Sequence, residues 1–298
     1  NEYALFFYTS SIPITKLDEG AGLGGRIIGF HFYNPPAVQK LVEIIKAENT
    51  LPGVEEFALA YAKSLRKVVV PSHDVAGFIG NGHFMRDILH AASEVEKLGS
   101  GFSFVEAVYA MNRISQDLLV RPMGIFQLVD YVGVDVCSFI MSVMDHHLKE
   151  ETIHCPLLDR LLALGVKGGQ YSDGSQKDGI LKYEKGRPVA IFDPATKAYV
   201  AISGIQAGVD AKLGALPVAP AWKTVVGNKA KEEILRDYFG QLKAASGLGA
   251  ELARFYATRS CEIGQQLVNS GVAGNENDVN TVLLTGFFHA YGPINNYL

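Results

Sequence analysis

A mainly α chain with an α/β segment at its N-terminus is the fold class this sequence predicts, and three observations carry the prediction. Short runs rich in β-branched residues at 26–30, 41–45 and 68–70 all fall within the first 75 residues. Beyond Asn81 the apolar residues recur at helical spacing instead. A similar order of helix, cap and chain breaker then returns near the C-terminus.

Arg26-Ile27-Ile28-Gly29-Phe30 and Leu41-Val42-Glu43-Ile44-Ile45 are expected to be two strands joined by a turn, because Pro35-Pro36 between them forbids one continuous helix. Val54, Phe57, Ala58, Tyr61 and Leu65 share one helical face, which predicts a helix over about 52–66 packed on that sheet. Val68-Val69-Val70 supplies a last strand.

Phe84, Ile88, Ala91, Ala92 and Val95 then form an apolar face that ends before Gly99, and Ser103 with Glu106 has the spacing of a capping box for the next helix. Residues 165–179, rich in glycine and polar side chains, read as a loop. Residues 188–192 and 198–202, on either side of Asp193-Pro194, read as a β-hairpin. The order Phe84, Gly99, Ser103, Glu106 and Pro122-Met123-Gly124-Ile125 parallels Tyr256, Gly271, Asn275, Asp278 and Gly292-Pro293-Ile294, which points to an internal duplication. The expected plan is an α/β segment at 1–75, a helical domain at 76–150, a linker with loop, hairpin and helices at 151–245, and a second helical repeat at 246–298.

Composition narrows the function classes. A formal net charge of −4, with no basic stripe interleaved with aromatics, argues against a nucleic-acid partner. Cys137, Cys155 and Cys261 are odd in number and lack metal-ligand spacing, so reduced thiols in a soluble, intracellular and cytoplasmic protein are expected. His146-His147 with His154-Cys155 reads as a solvated helix end rather than a metal site. The uncharged tail at 281–298 is broken by Gly286, Gly292, Pro293, Asn295 and Asn296, which suits a packed terminus and not a membrane span.

His31 and Glu43 stand one short loop apart, each within a β-rich run. A glutamate in such a run needs a partner if it is buried, and an imidazole Nδ1–H can supply one; together they make a general base and its orienting acid. The competing reading is a surface histidine and an edge-strand glutamate that never meet. Gly20, Gly22 and Gly25 fit G-x-G-x-x-G, but they lead directly into a strand, whereas a dinucleotide fingerprint follows a strand and opens a helix.

Four linked motifs, Thr9-Ser10-Ser11-Ile12-Pro13-Ile14, His31-Phe32-Tyr33-Asn34-Pro35, Lys40-Leu41-Val42-Glu43 and Gly77-Phe78-Ile79-Gly80-Asn81, resemble the 3-hydroxyacyl-CoA dehydrogenase family in order and spacing. The resemblance implies the end of a Rossmann-type NAD-binding domain, lacking most of that domain, followed by two helical units like the C-terminal domain of 6-phosphogluconate dehydrogenase. It implies oxidation of (S)-3-hydroxyacyl-CoA to 3-oxoacyl-CoA with NAD+, in fatty-acid β-oxidation or related acyl-CoA metabolism; the large apolar faces of such helical units make a homodimer the expected assembly. By the same resemblance His31 removes the 3-hydroxyl proton and Glu43 holds the imidazole tautomer. Ser10 bonds the reacting oxygen beside the cofactor, Asn81 contacts the substrate near its thioester, and Asn34 braces the loop beside the histidine.

The sequence departs from the family pattern at Tyr8, where asparagine is usual on the cofactor side, at Ala76, where proline is usual, and at Gly82, where a basic residue is common. With the strand, glycine turn and helix of a pyrophosphate site not found ahead of Thr9, the chain alone is expected to be inactive. The other reading it leaves is a non-catalytic piece that dimerises or binds acyl-CoA. Lys182, Lys185 and Arg187 lie in a stretch that also looks like family sequence; an ordinary solvated surface is the preferred reading there over contacts to CoA phosphates. Relatives of 6-phosphogluconate or hydroxyisobutyrate dehydrogenases are disfavoured, because they place a lysine where the base is needed.

Overall fold

The computed structural model describes residues 4–9 and 11–298. It begins with β1 (Leu5–Phe7), α1 (Ile14–Ala21), β2 (Ile27–Phe32), β3 (Leu41–Lys46), α2 (Pro52–Ser64) and β4 (Val68–His73). Helices follow: α3 (Gly80–Leu98), α4 (Phe104–Arg113) running into a π-helical turn at Ile114–Leu118, α5 (Ile125–Val132), α6 (Val134–His147) and α7 (Pro156–Ala163). A second set of strands, β5 (Leu181–Glu184), β6 (Arg187–Asp193) and β7 (Ala198–Ala201), precedes α8 (Ile202–Leu213), α9 (Trp222–Val225), α10 (Lys231–Ala244), α11 (Leu248–Asn269) and α12 (Glu276–Gly286).

The chain divides into two compact units. The first takes in residues up to Met85 together with 142–152 and 260–295. Its sheet has the order β1-β2-β3-β4; β2 and β3 are antiparallel, and the β1–β2 and β3–β4 pairs are parallel. Alternation along the strands divides their side chains between two faces. Ile28 and Phe30 of β2 and Val42 and Ile44 of β3 pack against Val54, Ala58 and Ala62 of α2. Ile27 and Ile45 pack with Ile14 and Phe78, while Leu41 joins Tyr33, Val70, Leu267, Val279, Val282 and Leu283. The hairpin register sets His31 directly opposite Glu43, so strand periodicity brings both onto the face away from α2.

The second unit comprises residues 86–141, 153–259 and 296–298. Its antiparallel sheet has the order β5-β6-β7, so the hairpin expected from the sequence gains a third strand from residues 181–184. Residue 202, expected in a strand, instead opens α8. The glycine-rich loop before β5 is fastened by the buried Asp130 of α5, whose carboxylate accepts from Ile180 N at 2.7 Å, Leu181 N at 2.8 Å and the Tyr183 hydroxyl at 3.0 Å. Burial pushes the Asp130 carboxyl up to about 7, against the pull of those donors. The Ser103–Glu106 capping box is present at the start of α4, and Asn275 caps α12 by accepting from Asp278 N. Lys182, Lys185 and Arg187 are exposed.

Candidate active site

His31 and Glu43 meet. The imidazole Nδ1 lies 3.2 Å from Glu43 Oε1, with the histidine 8% exposed and the glutamate fully buried. Three more donors converge on the same carboxylate: Tyr33 Oη at 2.5 Å from Oε1, Ile79 N at 3.0 Å from Oε2 and Gly80 N at 3.3 Å from Oε1. Burying a carboxylate is costly unless its lone pairs are filled, and these donors fill them.

Both backbone donors come from the N-terminus of α3, where unsatisfied N–H groups and the helix dipole favour an anion. The turn that aims them is strained: Gly77 and the buried Phe78 have φ values of 86° and 50°, so a non-glycine residue sits in the left-handed region directly before the helix. Phe78 also lies beside the His31 ring, with centroids 5.8 Å apart. The carboxylate requires a donor on the histidine, so Nδ1 carries a hydrogen, and in the neutral ring that leaves the lone pair on Nε2. A neutral imidazole with a bare Nε2 is what a general base needs.

Asn81 is half-buried in the first turn of α3, one residue beyond the amide of Gly80. Asn34 is exposed at the start of the loop after β2. That loop is closed by Val38 N and Gln39 N bonding to Pro35 O at 3.0 Å each, and by Lys67 Nζ reaching Pro36 O at 2.6 Å and Gln39 O at 2.5 Å. Ser10 lies outside the described residues. Around it, Thr9 Oγ1 accepts from Ile12 N at 3.1 Å, and Ser11 O accepts from Gly77 N at 3.2 Å, which ties this loop to the turn before α3.

The sequence reading missed Tyr33 as a partner of Glu43, and the signal was present: it stands two residues after His31 and so shares its side of the pleat. Asp74 was missed as well. Its carboxylate accepts from Ile14 N at 2.5 Å and Thr15 N at 2.7 Å and thereby fills the N-terminus of α1. Gly22 is the left-handed C-cap of that same helix, and Gly25 N bonds to Asp18 Oδ1 at 3.0 Å. The G-x-G-x-x-G stretch therefore runs from the end of α1, a helix the sequence reading did not expect, into β2. Neither end of α1 fits a dinucleotide pyrophosphate.

A cavity of about 610 Å³ in the second unit is lined by Arg113, Arg121, Trp222 and the proline-rich segment around Pro217 and Pro220, and by none of the candidate site residues. Among the described residues no group of histidine, cysteine or carboxylate side chains could hold a metal ion.

Residues 2–75 match the family model for the 3-hydroxyacyl-CoA dehydrogenase NAD binding domain, and residues 77–194 match the model for the C-terminal domain of the same family. The chain belongs to the 3-hydroxyacyl-CoA dehydrogenase family. The match corrects the expected domain content in one respect: the NAD-binding domain is represented here, by residues 2–75.

Among family members, a probable 3-hydroxybutyryl-CoA dehydrogenase of Bacillus subtilis is 32% identical over 167 residues, covering 56% of this chain and 56% of that protein. The human mitochondrial hydroxyacyl-coenzyme A dehydrogenase is 32% identical over 171 residues, covering 57% and 52%. The crystal structure of an Escherichia coli 3-hydroxybutyryl-CoA dehydrogenase superposes with a TM-score of 0.63 over 98% of this chain and 67% of that one, at 20% identity, a likeness of fold. The chain spans about half the length of the curated relatives it matches.

Proposed function

We propose that this chain supplies the proton-transfer side of an NAD-dependent (S)-3-hydroxyacyl-CoA dehydrogenase in fatty-acid β-oxidation or related acyl-CoA metabolism. The observation that carries the reading is the buried Glu43 carboxylate, held by four donors with His31 Nδ1 among them. His31 Nε2 takes the proton of the substrate 3-hydroxyl, and Glu43 stabilises the imidazolium that results. In the reverse direction the imidazolium returns the proton to the oxygen at C3. Asn81 orients the thioester end of the acyl-CoA, Ser10 bonds the reacting oxygen, and Asn34 belongs to the same rim. NAD supplies the hydride acceptor; its support is the domain match at residues 2–75, since the described residues do not build a pyrophosphate cradle.

A purely structural role for the pair is the weaker reading. Buried ion pairs are poor contributors to stability, and an apolar pair would fill the same space at lower cost in desolvation. The formal net charge of −4 supports a small-molecule substrate over nucleic acid. Free Cys137, Cys155 and Cys261 support a reducing, cytoplasmic setting. Among the described residues no single helix is long and apolar enough to cross a membrane. Val136 and Phe139, exposed on α6, support self-association as a homodimer.

The test is NADH formation at 340 nm by the full-length protein with a 3-hydroxyacyl-CoA. His31→Gln should lower kcat by about 10²- to 10⁴-fold with little change in KM. Wild-type protein that reduces no NAD+ with any acyl length would overturn the reading.

A further inference from the structure

The phenol of Tyr33 makes the shortest of the four contacts to Glu43, and it does so on Oε1, the oxygen that faces His31 Nδ1. Glu43 is the partner the structure gives this hydroxyl. Burial, reinforced by the facing carboxylate, holds the phenol well above its ordinary range, so it remains a donor. Three surrounding positions are shaped to the ring. A Cβ on Gly80 would overlap the Tyr33 hydroxyl, a Cβ on Gly286 would fall within 3.0 Å of the ring carbons, and Phe287 meets the ring edge-on with centroids 5.7 Å apart. The imidazole of His31 lies alongside, 4.9 Å between centroids.

A carboxylate can rotate about its last bond, and a histidine facing a rotating carboxylate can exchange tautomers. The amides of Ile79 and Gly80 reach Oε2 and Oε1 from the start of α3, and Tyr33, the residue directly after β2, adds the shortest contact, on Oε1. With that oxygen fixed, one direction remains for the imidazole hydrogen. We propose that Tyr33 is a positioning residue of the proton-transfer site: its hydroxyl locks the Glu43 carboxylate and so keeps His31 in the tautomer with a bare Nε2. Gly286 and Phe287, from the end of α12 and just beyond it, form the wall that seats the ring, so the C-terminal part of this compact unit takes part in setting the base. The catalytic half of the inference rests on the dehydrogenase reading; the geometric half does not.

Tyr33→Phe removes one oxygen and leaves the ring packing intact. Long-range ¹H–¹⁵N spectra of the imidazole nitrogens, recorded on the full-length protein without substrate, report the His31 tautomer directly. Wild type should show Nδ1 protonated, and Y33F a mixture of tautomers. In turnover, Y33F should lower kcat about 10-fold, the loss of one hydrogen bond to a charged group, with KM little changed. Val54→Ala, in the core that α2 forms on the opposite face of the sheet, is the control: it lowers the melting temperature and keeps the wild-type tautomer. If Y33F lowers only the melting temperature, with tautomer and kcat unchanged, Tyr33 is a packing residue and the proposal is overturned. A tautomer shift in Y33F from a wild type that turns over no acyl-CoA would leave the positioning role standing and remove the dehydrogenase reading.

Discussion

At the residue scale the decisive fact is that Glu43 accepts from four donors with no opening to solvent. Two of those donors are backbone amides that cannot turn away, which makes the site intolerant of an amide side chain. Glu43→Gln keeps size and shape but must direct an NH₂ group at a donor. It should unfold about 2–4 kcal/mol more easily in urea while still folding, because one buried hydrogen-bond pair is replaced by a donor–donor contact. In the full-length protein kcat should fall at least about 10²-fold, since the tautomer is no longer enforced. A Gln variant with wild-type kcat would refute the orienting role of Glu43. The His31–Glu43 pairing was legible in the sequence because strand periodicity and a short connection nearly fix the register. The same periodicity marked Tyr33, two residues on, but the Ile79 and Gly80 contacts were not legible. Those two depend on how a strained turn delivers a helix N-terminus to a strand face, which no local pattern encodes.

At the element scale, prediction from sequence worked where a signal is local. The α4 capping box is the clearest case: Ser103 Oγ accepts from Glu106 N at 3.4 Å, and Ser103 N donates to Glu106 Oε2 at 2.7 Å. Ser103→Ala should cost about 1 kcal/mol, read as a lower urea midpoint with an unchanged slope. The three-residue β1 was missed because it is too short to show alternation, and α1 because its cap, Asp74, lies 60 residues from Ile14. The strand β5 was missed although its partner β6 follows after a two-residue turn, because Lys182-Tyr183-Glu184 carries little apolar alternation and its anchor, Asp130, lies 51 residues from Leu181. That anchor makes a pH-dependent prediction. The Asp130 carboxyl is held near about 7 in the folded chain against an ordinary 3.8, so the folded state binds its proton more tightly than the unfolded state does. Stability from this group is therefore present below the unfolded value and declines as pH rises through that window, by at most about 4 kcal/mol. Asp130→Asn carries its own cost, but that cost does not vary with pH. Plotted against pH, the difference in unfolding free energy between wild type and variant should shift against wild type from about pH 4 to pH 7; parallel curves would show that the three donors cancel the effect of burial.

At the scale of the whole molecule, the residues of the candidate proton-transfer site come from strands β2 and β3 and the start of α3, whereas a dinucleotide needs a helix N-terminus free to receive a pyrophosphate. The helix that follows β1, the natural position for such a site in a parallel α/β arrangement, has its first amides already bonded to Asp74. The glycine-rich stretch lies at the opposite end of that helix, where carbonyl groups repel phosphate. The candidate base and a pyrophosphate cradle are thus separable pieces of structure: the described residues bring His31 and Glu43 together, while the first amides of α1 are taken by Asp74. Calorimetric titration of NAD+ into these 298 residues should give no saturable heat at concentrations up to about 1 mM, the range in which binding free energy falls to about 4 kcal/mol. The same titration into the full-length protein should saturate. Tight binding by the 298-residue chain would mean that Asp74 gives up the α1 amides to the cofactor, and Asp74→Ala would then strengthen binding by removing the competing carboxylate. If neither the wild-type chain nor Asp74→Ala binds, the first amides of α1 are not the phosphate site, while the His31–Glu43 geometry persists without cofactor.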